Sequence, residues 1–246
     1  MKGRLEMHRL PVTTELLAQD EVVLPHDAAR HLKVLRPKHG EVVELFDGRG
    51  LVRRYAVNGA VLAAASPAVS VPRSSTAMTL FACVTKGSRW DWTVEKAVEL
   101  GVTRIVPVIS ERVIVRLPRE AREEKAERWR RIALDAARQS DAAWLPEIVA
   151  PVDFAESLPL VRGTTCFVGA LADPPPPPLL KVVAEADAGA DGGFAVYVGP
   201  EGDFSPAELS ALLEVARPAS FGPTILRAET AAIFAVSVLA AALASR

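Results

Sequence analysis

The stretch FAVYVGPEGDFSPAEL, Phe194–Leu209, decides the fold. Phe194–Val198 is an unbroken apolar run, which suits a strand covered on both faces. A turn holding Gly199 and Gly202 follows, and Ser205-Pro206-Ala207-Glu208 then starts a helix with a capping Ser, Pro at the first helical position and Glu at the third. Strand, glycine turn and capped helix make one unit of an open α/β sheet, and ligands of such sheets sit at the carboxyl ends of the strands. Gly199 and Gly202 let backbone groups approach a ligand there, although a plain strand-to-helix turn has the same composition.

Working outward, the same alternation continues. Thr79–Thr85, Ile105–Ile109 and Cys166–Leu171 read as further buried strands. Ser88–Leu100 reads as a helix capped by Ser88 and Asp91, with Trp90, Val94, Ala97 and Val98 on one stripe and Gly101 ending it. Arg119–Ser140 reads as a long charged helix whose inward face is Trp129, Ile132, Ala133 and Ala136. Pro174–Pro178 stiffens the entry to a helix at Leu179–Ala186, and the last helix begins near Ala228. These elements predict a mostly parallel sheet with helices on both faces. Before Arg73 the pattern is different: EVVLP, EVVELFDGRG, LVRRYAV and AVLAAAS are short strands punctuated by turns, and Asp47-Gly48 and Asn58-Gly59 are hairpin signals. A small β-barrel or curled sheet follows from them. The Pro- and Ser-rich Ser66–Ser75 places the domain boundary, giving domains 1–73 and 74–246.

Half of the 246 residues are apolar and 24% are charged, enough to bury a core. The most apolar segment, Ala231–Ala244, is too short to span a bilayer, so a cytoplasmic protein without a membrane or metal partner is expected. Cys83 and Cys166 lie in strand-like runs and read as buried thiols. Met1–Arg138 carries 24 Lys and Arg against 17 Asp and Glu, whereas Gln139–Arg246 carries 5 against 13. Such asymmetry fits polyanion binding by the first part, and solvated charged faces give the same count. Phosphate-loop, HExxH, GxSxG, CxxC and GxGxxG signatures are missing, which excludes the common NTPases, zinc proteases, hydrolases and dinucleotide enzymes.

A second glycine-proline turn, Phe221–Ala231, leads into the last helix, with Arg227 and Glu229 flanking its start. A third candidate cluster, Lys86-Gly87-Ser88-Arg89, follows the first strand of the same domain. Together the segments KGSRWDWTVEKAVELGVTRIVPVISERVIV, ARQSDAAWLPEI, YVGPEGDFSPAEL and FGPTILRAETAAI resemble, in order, the RsmE family of 16S rRNA uridine-N3 methyltransferases. HLKVLRPKHGE (His31–Glu41) and LFDGRG (Leu45–Gly50) resemble that family's RNA-binding domain.

The resemblance implies a PUA-like β-barrel followed by a SPOUT-type, trefoil-knotted α/β domain, a homodimer, S-adenosyl-L-methionine as cofactor and 16S rRNA as partner. It implies that Gly169, Leu171, Gly199, Pro200, Glu201, Gly202, Phe221, Gly222, Ile225, Leu226 and Ala231 form the cofactor cleft. Arg30, His31, Lys33, Arg36, Arg53, Arg54, Lys86, Arg89 and Arg138 are the expected RNA contacts. Arg227, with Arg36 or Arg138, is expected to stabilise a uracil anion or hold phosphate, and Glu201 or Glu229 to position or take the N3 proton. The chain departs from the family pattern where GPEGG becomes GPEGD at Asp203, a residue that tolerates left-handed geometry. It departs again at Gln139-Ser140-Asp141-Ala142, which lacks an arginine, and after Leu171, where Asp173 and the proline run replace the usual loop. Alternatives are a tRNA methyltransferase of the same architecture and a ribosome-assembly factor that binds RNA without catalysis.

Overall fold

The computed structural model describes residues 7–172, 174–188 and 192–245. They fall into two compact units, Met1–Arg73 with Leu134–Leu145, and Ser74–Ala133 with Pro146–Arg246.

In the first unit, strands β1 (Arg9–Pro11), β2 (Glu21–Val23), β3 (Val42–Phe46), β4 (Leu51–Asn58), β5 (Val61–Ala64) and β6 (Val69–Ser70) form one sheet, accompanied by helices α1 (Thr14–Leu17) and α2 (His26–Leu35). The order is β1-β3-β4-β5-β2, with β6 on β4 and only the β1–β3 pair parallel. At the first hairpin Gly48 takes φ +70°, and the Asp47 carboxylate accepts from the Arg49 and Leu51 amides at 2.7 and 3.0 Å. Leu10, Leu17, Val22, Leu45, Tyr55 and Leu62 fill the core, onto which α2 seats Ala28 and Leu32. The sequence reading of strands alone is corrected here. Ala28 and Leu32, four residues apart, mark one helical stripe between the strands named from the sequence.

The second unit contains β7 (Ala77–Cys83), α3 (Ser88–Glu99), β8 (Arg104–Ile109), most of α4 (Arg122–Gln139), β9 (Glu147–Ile148), β10 (Val152–Asp153), α5 (Phe154–Ser157), β11 (Thr164–Gly169), α6 (Leu179–Ala184), β12 (Gly193–Val198), α7 (Pro206–Leu213), β13 (Arg217–Ala219) and α8 (Ala228–Ala244). Every strand pair is parallel, in the order β10-β8-β7-β12-β11-β13 with β9 on β8. The apolar run at β12 is buried along its whole length, as a central strand covered on both faces must be. On one face Phe81, Val106, Val168 and Tyr197 pack with Phe204 and Leu212, and Phe81 stacks on Tyr197 at 4.5 Å. Helix α8 packs against α3, α6, β7 and β12. The cap of α3 is Gly87, at φ +63°, rather than Ser88 or Asp91; the Asp91 carboxylate instead pairs with Arg128. Among the described residues no helix is long and apolar enough to cross a membrane.

Residues 134–145, assigned by the sequence reading to the second domain, pack with the first unit, and Arg9 supplies the reason. The residue is 4% exposed; its guanidinium donates to Glu44 at 2.9 Å and to the Ala137 and Ala142 carbonyls at 2.8 and 3.3 Å, and lies 4.4 Å from the centre of the Phe46 ring. A cation at a helix C-terminus satisfies carbonyls that the helix leaves open, so Arg9 ends α4 inside this unit. The Trp144 indole N–H adds a bond to the Val71 carbonyl at 2.9 Å.

Candidate active site

Strands β12, β11 and β13 are neighbours, so the loops that leave their carboxyl ends emerge side by side. Those loops and the start of α8 line a cleft that opens to solvent, at the strand ends where ligands of open α/β sheets bind. Gly169, Leu171, Gly199, Pro200, Glu201, Phe221, Gly222, Ile225, Leu226 and Ala231 all line it, joined by Asp203, Ser220 and Thr224. Gly202 does not; its carbonyl faces away and accepts from Arg112 Nη1 at 2.9 Å. The sequence reading missed Arg112, which stands 90 positions from its partner.

Each wall has a local cause. A Cβ built on Gly169 would lie 2.5 Å from the Phe221 ring, so only glycine lets that ring sit where it does; Phe221 in turn packs on Phe234 with ring centres 5.9 Å apart. At the second wall Asp203 takes φ +59°, its amide donates to the Pro200 carbonyl at 2.9 Å, and its carboxylate accepts from the Phe204 amide at 2.8 Å. The capping box is formed as read, with the Glu208 carboxylate accepting from the Ser205 amide at 3.0 Å. Its other oxygen accepts from the Glu111 amide at 2.8 Å, which ties the exit of β8 to the start of α7. Asp173 lies outside the described residues, but the proline run beside it has a visible role. Ser220, on the third wall, donates its amide to the Pro177 carbonyl at 2.9 Å and accepts from the Leu179 amide at 3.0 Å.

The mouth is unusually apolar, with Leu171 64% and Ile225 83% exposed. Large side chains left open around a glycine-lined cleft suit a flat apolar ring with polar edges that backbone groups can meet. Gly169→Ala is expected to push the Phe221 ring into the cleft and weaken S-adenosylhomocysteine binding at least about 10-fold, the scale of one badly placed contact. Calorimetry on the folded variant checks this.

The three candidate reacting groups are placed differently. Glu201 lines the cleft and is ion-paired with Arg89 at 2.9 Å. Arg227 occupies the N-cap position of α8 between the lining residues Leu226 and Ala228; it is exposed and makes no ion pair among the described residues. Glu229, in the first turn of α8, is 9% exposed, and its Oε2 accepts no hydrogen bond among the described residues. Cys83 and Cys166 are buried and their thiols pushed up to about 12, which leaves neither as a nucleophile. No cluster of three metal-ligating side chains occurs among the described residues.

Residues 72–240 match the family model for the RNA methyltransferase domain. Ribosomal RNA small subunit methyltransferase E of Mycobacterium bovis is 31% identical across 84% of this chain and 80% of that protein, and its namesake in Synechocystis sp. is 29% identical across 97% and 78%. The crystal structure of the Neisseria gonorrhoeae ribosomal RNA small subunit methyltransferase E bound to S-adenosyl methionine superposes with a TM-score of 0.83, at 29% identity, covering 95% of this chain and 97% of that one. The chain belongs to the ribosomal RNA small subunit methyltransferase E family.

For a methyltransferase E chain, the placement of the basic side chains separates those free to meet a polyanion from those already engaged. Arg30 and Lys33 on α2, Arg36 at its left-handed C-cap (φ +51°) and Lys86 are exposed, and Arg54, also exposed, lies 3.8 Å from the Glu44 carboxylate. Arg53 is corrected to a structural residue: it donates to the Ser66, Leu17 and Gln19 carbonyls and to Asp20 at 2.6 Å, with its side chain only 11% exposed. Arg138 bonds the His31 ring at 2.8 Å and lies 3.4 Å from Asp135; burial, then the Arg138 charge, lowers the His31 pKa and leaves a neutral ring to accept that bond. Arg89 is likewise engaged, holding Glu201.

Proposed function

We propose that this chain is a SPOUT-type, trefoil-knotted enzyme that transfers a methyl group from S-adenosylmethionine to N3 of a uridine in the 16S rRNA of the small ribosomal subunit, acting as a homodimer in the cytoplasm. The observation that carries the reading is the cleft, where three adjacent strand-end loops meet with glycines on its walls and Leu171 and Ile225 uncovered at its mouth. The strand order supports the knot, because β12 lies between β7 and β11 although β11 precedes it in the chain. The six-stranded, mostly antiparallel sheet of the first unit supports a PUA-like RNA-binding domain at 1–73, with Arg30, Lys33, Arg36 and Arg54 as its phosphate contacts.

The residues present fit the cofactor. Backbone groups of the lining residues Gly199, Phe221, Ile225 and Leu226 would hold adenine and ribose, with the exposed Leu171 and Ile225 offering apolar surface to the ring. When bound, the sulfonium supplies an already electrophilic methyl carbon, so the chain has only to align and to handle charge. Uridine N3 lies on the Watson–Crick edge, and the base must be unpaired or extruded to reach it. Arg227, exposed between the lining residues Leu226 and Ala228 and without an ion-pair partner among the described residues, stabilises the uracil anion. Of the two carboxylates, Glu201 lines the cleft and pairs with Arg89, whereas Glu229 is not among the lining residues and its Oε2 is buried with no donor among the described residues; one of the two positions or takes the N3 proton.

Mass spectrometry of nucleosides from a strain lacking the gene tests the proposal. Loss of 3-methyluridine from 16S rRNA is the expected outcome; its loss from tRNA instead means a tRNA methyltransferase, and no loss means an assembly factor that binds without catalysis.

A further inference from the structure

The turn Gly199–Asp203 is gripped from outside the cleft by the exit of β8, two strands away across β7. Arg112 reaches over and donates to the Gly202 carbonyl at 2.9 Å. Its aliphatic stem lies along the same residue, since a Cβ on Gly202 would sit 3.5 and 3.6 Å from Arg112 Cβ and Cδ. The preceding Glu111 amide bonds Glu208 at 2.8 Å, so neighbouring residues hold both the turn and the helix that follows it.

A peptide next to glycine rotates easily, and the direction of the Gly202 carbonyl determines which way the preceding backbone faces. Gly199, Pro200, Glu201 and Asp203 face the cleft while the Gly202 carbonyl points to Arg112, so a charge-assisted bond on the outer side sets the inner side. Arg112 is exposed, where one such bond contributes little to overall stability; its effect falls on the order of the turn.

We infer that Arg112 is a positioning residue for the cofactor wall, acting through the Gly202 carbonyl without touching cofactor or RNA. The inference rests on the proposed S-adenosylmethionine cleft. Calorimetry with S-adenosylhomocysteine and methyl-transfer kinetics on small subunits from the deletion strain test it. Arg112→Ala raises the S-adenosylhomocysteine Kd and the S-adenosylmethionine KM about 10-fold, the scale of one charge-assisted bond, with kcat and the RNA KM within about twofold. Arg112→Lys recovers most of the loss, because a single donor suffices at a single carbonyl.

Unchanged Kd in Arg112→Ala overturns the inference. So does a raised RNA KM with unchanged Kd, which makes Arg112 an RNA contact. Should the alanine variant fail to fold, Arg112→Gln and Arg112→Lys carry the same comparison. Wild-type protein that gives no heat with S-adenosylhomocysteine overturns the cofactor reading itself, a result distinct from any difference among variants.

Discussion

Arg227→Ala is expected to lower kcat for methyl transfer about 10²–10³-fold, the usual loss when one donor to a developing anion is removed. In the proposed reaction, losing the N3 proton leaves negative charge on the uracil, and a guanidinium beside the cleft is worth most where no carboxylate already competes for it. Arg227 meets that condition: it is exposed, adjoins the lining residues Leu226 and Ala228, and has no ion-pair partner among the described residues. By contrast Arg89, Arg119, Arg122, Arg128 and Arg130 are all held by carboxylates. The Arg227 side chain makes no capping bond to α8, so its removal leaves the helix intact, and S-adenosylhomocysteine should bind the variant within about twofold of wild type. Arg227→Lys keeps the charge without the fork and should fall between the two. Single-turnover kinetics at saturating cofactor separate chemistry from binding, and a wild-type rate in Arg227→Ala would remove the residue from the mechanism.

The second large effect concerns stability. Arg9→Ala should cost about 3–5 kcal/mol, because it strips a buried ion pair of one member. Glu44, with a side chain 17% exposed, would keep only Arg54 at 3.8 Å, and the Ala137 and Ala142 carbonyls would lose their donor. The Phe46 ring would lose its cation as well. Arg9→Lys should recover only part of this, since one ammonium cannot reach a carboxylate and two carbonyls in the geometry of a planar fork. Urea denaturation measures it as a lower midpoint at unchanged slope. A loss below about 1 kcal/mol would mean that the network relaxes around the gap.

Arg9 also illustrates which residues a linear reading passes over. It sits in a short stretch with no periodic signal, and its partners Ala137 and Ala142 are ordinary helix and turn residues more than 100 positions away. Arg53 misleads in the opposite direction. In a basic dipeptide on a short strand it looks available to phosphate, yet three carbonyls and Asp20 already take up its donors. Residue type reveals charge, but whether a charge is spent depends on groups brought near by folding.

Signals acting within a few residues were legible from the chain alone. The buried run of β12, the Ser205 capping box, the hairpins at Gly48 and Gly59 and the left-handed Asp203 all follow from sterics and hydrogen bonding between near neighbours. Tertiary structure decided the strand order that sets three loops side by side, the union of residues 134–145 with the first unit, and the bond that turns Gly202 out of the cleft. The physical reason is that apolar periodicity tells a segment which face to bury without naming the segment that buries it. That choice belongs to the packing of the whole chain.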